Sequence, residues 1–81
     1  MAILTPASRT LIDSANEIAK AIDNIHAIFA SDPYAIIAEA IQRLWNLYDE
    51  LQALVVMLVD PATVEATLIV PMTPRPTERQ N

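Results

Sequence analysis

Between residues 32 and 60 the apolar positions keep a heptad rhythm. Ile37, Ile41, Leu44, Tyr48, Leu51, Val55 and Leu58 follow one another at spacings of 4, 3, 4, 3, 4 and 3. That alternation belongs to a helix that lays one seam along another helix. The preceding stretch repeats it, with Leu11, Ala15, Ile18, Ile22, Ile25 and Phe29 at 4, 3, 4, 3 and 4. Ile12, Ala19 and His26 flank this first seam on one side, and Ala21 and Ile28 on the other. Asp13, Asn16, Glu17, Lys20, Asp23 and Asn24 cover the opposite face. A stripe this wide suits a helix packed in a globular body rather than a narrow two-stranded seam.

Prolines set the boundaries. Thr5-Pro6, Asp32-Pro33 and Asp60-Pro61 each join a residue able to cap a helix to a proline suited to the first helical position. Their spacing, close to four heptads, makes a weak repeat of cap plus helix. The pattern predicts helices over about residues 6–30 and 33–58, the second roughly 40 Å long at about 1.5 Å per residue. Matched lengths and a short linker give an antiparallel hairpin. The fold class is therefore all-α: a two-helix hairpin with coiled-coil-like seams over residues 1–60. Glu39 and Arg43, four apart, are placed to pair on the second helix.

After the hairpin the pattern weakens. Residues 61–70 open like a third helix at Asp60-Pro61 and are expected to be helical up to Pro71. Val64, Thr67, Ile69 and Val70 favour strand instead, and the rival is a β-hairpin pairing residues 54–59 with 66–70. Residues 71–81, PMTPRPTERQN, read as an extended, polyproline-like tail.

The apolar surplus points to partners. Leu54, Val55, Val56, Met57, Leu58 and Val59 make the end of the second helix apolar all round, and one partner helix cannot cover every side. A two-helix hairpin leaves Ile12, Ile28, Ile36, Trp45, Val56 and Met57 partly exposed. These six are the candidate protein-interface residues, with Trp45 the aromatic anchor. The expectation is a homo-oligomer or a larger assembly, with the C-terminal segment docked on a neighbouring subunit.

Composition supports this and excludes alternatives. A chain of 81 residues without cysteine has no disulfide or thiolate metal site to reinforce a small core. There is no glycine, which removes the dinucleotide fingerprint, the P-loop and the nucleophile elbow together. The net charge of −5 lies wholly within residues 1–60, which disfavours nucleic acid and anionic membranes. The apolar run over residues 53–59 is far too short for a membrane span. The N-terminal MAILTPASR lacks the basic and apolar regions of a signal peptide. A soluble protein is expected, cytoplasmic or held within an assembly.

Little supports chemistry. His26 has no carboxylate, His or Cys at i−4 or i+4 and reads as a solvated or core-edge residue. Asp13 and Glu17 share a face, but one opposite the apolar stripe, and Asp49-Glu50 do not converge on a helix. Pro74-Arg75-Pro76 has the form of a peptide for an aromatic groove, or of a plain tail. No catalytic, metal or cofactor site is expected. The sequence suggests a non-enzymatic structural or assembly subunit, such as a small virion component. The alternative is an acidic regulatory module, inhibitor- or antitoxin-like, that buries an apolar helix face on one partner.

Overall fold

The computed structural model describes residues 4–29 and 35–76. It contains three helices: α1 (Pro6–Phe29), α2 (Ala35–Leu58) and α3 (Pro61–Thr67). The junction expected at Asp32-Pro33 and the tail beyond residue 76 lie outside the described residues.

Local chemistry starts two of these helices as the sequence suggests. The Thr5 hydroxyl accepts the Ser8 amide at 3.1 Å, and the Thr5 carbonyl accepts the Arg9 amide at 2.9 Å. Pro6, with no amide to satisfy, opens α1. Asp60 does the same for α3. One of its carboxylate oxygens accepts the Thr63 amide at 3.2 Å and the other the Thr63 hydroxyl at 2.7 Å. These hydrogen bonds favour the charged form and hold the Asp60 carboxyl below its usual range.

The early part of α1 meets the late part of α2, so the two run antiparallel. Ile12 packs with Val55 and Val59. Ala15, Ala19 and Ile22 pack with Ile41, Trp45 and Tyr48. Ala15 and Ala19 of α1 thus face the large Trp45 and Tyr48 cluster of α2, small against large as close helix packing favours. Val64 of α3 leans on the first cluster and Leu68 on the second.

The buried line is rotated from the expected seam. In α1 it runs through Ser8, Ile12, Ala15, Ala19 and Ile22, again at spacings of 4, 3, 4 and 3. Leu11, Ile18 and Ile25 lie beside it, half-buried. In α2 it runs through Ile41, Trp45, Tyr48 and Val55 and on to Val59 just beyond the helix, with Leu44 and Leu51 half-buried and Leu58 exposed. Both helices have turned toward the same flank of the hairpin, because the chain after α3 returns along that flank and closes it.

Three expectations change. Ile12 and Trp45 do not remain partly exposed; they are 3% and 5% accessible. Val55, Val59, Leu4 and Val64 of α3 pack around Ile12, while Leu68 and Arg75 of the return segment lie against the Trp45 cluster. Among the described residues there is no strand, and α3 stops at Thr67, short of Pro71. Leu68 is already extended (φ −88°, ψ 125°). The apolar end of α2 stays partly open within the hairpin, with Leu54, Val56, Met57 and Leu58 exposed and Val55 buried. Finally, Lys20 pairs with Glu17 and Arg75 with Asp49, whereas Glu39 and Arg43 form no ion pair with each other.

Replacing Ile22, fully buried, with alanine should cost about 2–5 kcal/mol of stability, the usual range for a deleted core side chain. Ile28→Ala, at an exposed position, should stay within about 0.5 kcal/mol. Urea denaturation followed by circular dichroism distinguishes the two.

Candidate functional site

The return segment, residues 68–76, is bound by side chains because it has no sheet to join. A buried backbone group without a partner is costly, and helices α1 and α2 spend their own backbone groups internally. The partners come from one flank of the hairpin. The Asn16 amide donates to the Thr67 carbonyl at 3.0 Å, and its oxygen accepts the Ile69 amide at 2.8 Å. One side chain thereby stands in for a neighbouring peptide unit. The Tyr48 hydroxyl donates to the Ile69 carbonyl at 2.5 Å.

Two turns along α1, Asp23 takes the next bend. Its carboxylate accepts the Met72 amide at 3.1 Å, and the Thr73 amide and hydroxyl at 3.0 and 2.7 Å. Pro71 and Thr73 are buried there. Partial burial pushes the Asp23 carboxyl up. The Thr73 hydroxyl, the Met72 and Thr73 amides and nearby His26 outweigh it, and the net shift is downward.

Arg75 finishes the segment. Its guanidinium makes a two-pronged pair with Asp49, at 2.5 and 2.8 Å, and lies over the Trp45 ring at 4.0 Å. The hydrogen bonds from Arg75 hold the Asp49 carboxyl below its usual range. Trp45 meets Tyr48 edge-on, centroids 5.6 Å apart. Its buried indole N–H has no hydrogen-bond partner among the described residues, so the cation over its face is its main polar contact. Burial and the neighbouring Asp49 push the Tyr48 hydroxyl above its ordinary range, against the opposing charge of Arg75.

The opposite flank is open. On α2, Ile37, Ala40, Leu44, Leu47, Leu51, Leu54 and Leu58 form a second line at spacings of 3, 4, 3, 4, 3 and 4. Leu47, Leu54 and Leu58 are exposed. On α1 the matching line is Ala7, Leu11, Ser14, Ile18, Ala21, Ile25 and Ile28, at 4, 3, 4, 3, 4 and 3. Neither line contains an ionisable residue.

The six predicted interface residues therefore separate. Trp45 and Ile12 belong to the closed flank and core. Ile28 and Ile36, 73% and 72% exposed, border the open flank near the loop end. Val56 and Met57 are exposed on other sides of α2. The sequence reading missed Asn16 and Asp23, which it left on a solvated face. Their one signal was a spacing of seven, which puts two polar groups on the same edge of the seam. Arg75 of Pro74-Arg75-Pro76 does find an aromatic partner, but that partner is Trp45 of the same chain.

Among the described residues no three of His, Asp and Glu converge as a metal site requires. No helix is long and apolar enough to cross a membrane. No family model matches the chain, and no curated protein or solved structure shows significant similarity to it.

Asp23 and Asp49 bind protons less readily in the folded chain than in the unfolded one. Their contribution to stability is thus complete above the ordinary carboxylate range and disappears as pH falls below it. Trp45, the single tryptophan, reports on the segment. Its emission should shift to longer wavelength on acidification below about pH 4. An Asp23→Asn, Asp49→Asn double variant should show the shifted emission already at pH 7 and little further change.

Proposed function

We propose that this chain is a non-enzymatic structural or assembly protein, a small helical subunit that self-associates or docks into a larger body. The open flank of α1 and α2 carries the proposal. It is a continuous apolar strip on two helices of 24 residues each, without a charged side chain and with exposed leucines along it. Scattered single apolar residues are normal on a surface; a contiguous strip on this scale marks a contact site. The return segment closes the other flank, so the open one is left for another molecule.

The acidic charge favours a second reading, in which the same strip is buried on one protein partner that the chain regulates. Net charge of this size keeps a monomer soluble until that partner arrives. The two readings differ in what the isolated chain does. For an assembly subunit, light scattering across a concentration series should give a mass that is a multiple of the 8.9 kDa monomer. A mass of one chain at every concentration would favour the regulatory module.

A further inference from the structure

We infer that the occupant of the open flank is a second copy of this chain, crossing antiparallel so that α1 lies over α1 and α2 over α2 in a four-helix bundle. This rests on the self-association reading and specifies its partner and geometry. Three observations lead to it.

The first is shape. Each helix carries two apolar heptad lines. One is spent inside the hairpin, and the other stays open on the same flank of both helices. A partner that fills it must present two matched helices, and a second hairpin does so with the same small and large residues.

The second is area. A helix of 24 residues is about 36 Å long at 1.5 Å per residue, and two side by side span about 20 Å. The two-helix face that carries the strip therefore has a footprint of about 700 Å² per copy, of the order of the roughly 800 Å² that each partner contributes to a standard stable interface.

The third is charge. Arg43 and Glu50 border the strip on α2, seven residues and two turns apart, and lie symmetrically about the middle of α2 (Ala35–Leu58). Antiparallel crossing at that middle sets Arg43 of each copy level with Glu50 of the other, twice by symmetry. The alternative two-fold, with α1 over α2, fits less well. Ile12 packs with Val55 inside the hairpin, so Glu17, five residues on, is level with Glu50. That arrangement brings like charges together.

The register is tested by charge reversal and by cross-linking, both on the full chain. Arg43→Glu and Glu50→Arg should each weaken the dimer about tenfold in sedimentation equilibrium. The double variant should restore it. Both positions are exposed, and unchanged circular dichroism with unchanged Trp45 emission shows that each variant is folded. The chain has no cysteine, so a single introduced thiol is informative. Leu47→Cys lies near the two-fold, within the about 7 Å that a disulfide spans between Cα atoms, and should form a covalent dimer on mild oxidation. Glu39→Cys, whose copies lie about 20 Å apart at 1.5 Å per residue, should not. A dimer in which reversal is not rescued, or in which position 47 fails to cross-link, overturns the antiparallel register and leaves the self-association reading standing. A chain that stays monomeric into the millimolar range overturns both.

Discussion

An extended segment can lie on a pair of helices only if something other than a helix or a sheet satisfies its backbone. Every other feature of this molecule follows from how residues 68–76 meet that requirement. Asn16, Asp23 and Tyr48 accept or donate the bonds that a neighbouring strand would have made. The pair between Arg75 and Asp49 then pins the far end. Because these groups sit along one flank, the segment covers that flank alone. The helices turn their buried lines toward it, Trp45 becomes core, and the opposite flank keeps its leucines in view.

The segment contributes position more than burial. Leu68 packs on the core, but Val70 and Met72 are 62% and 90% exposed. Apolar cover comes mainly from α1 against α2, where Ala15, Ala19, Ile22, Tyr48 and Val55 are sealed. The polar clamps decide where the segment lies, since hydrogen bonds to a charged carboxylate are stronger than neutral ones and, unlike apolar contact, directional. Two of the chain's carboxylates are thus committed to holding its own C-terminal part: Asp23 by backbone amides and the Thr73 hydroxyl, Asp49 by the Arg75 guanidinium.

Much of the hairpin was legible from periodicity, because both helices repeat an unbroken heptad and α1 opens at a capping residue followed by proline. Helix existence and approximate ends need nothing further. The direction of the buried line was not legible, for a physical reason. Leu11 and Ile12, or Leu44 and Trp45, are adjacent apolar residues, so a stripe this wide can bury either edge. Which edge closes depends on residues 67–76, whose sequence has no period. Asn16 and Asp23 look like solvent-facing polar residues until that segment is in place. The spacing of Trp45 and Asp49, one turn apart on α2, held the corresponding information: a ring and a carboxylate together form a seat for one guanidinium. The sequence also offered the guanidinium, in Pro74-Arg75-Pro76, but as a motif for an outside groove.

The described residues of this chain close one flank of the hairpin and leave the other open. A longer apolar C-terminal segment on each side would have made a self-contained bundle. Here the segment is short, polar in its contacts and confined to one side, while the open side is as regular as the closed one. Random loss of cover would leave an irregular patch interrupted by charges. The heptad line from Ile37 to Leu58 has no charge and keeps its period over six turns, and its counterpart on α1 does the same. Regularity of that kind, on two adjacent helices at once, is what a second pair of helices recognises. In the proposed dimer the segment on the closed flank and the second copy on the open one are complementary parts of one solution, the first fixed within the chain and the second supplied by its partner.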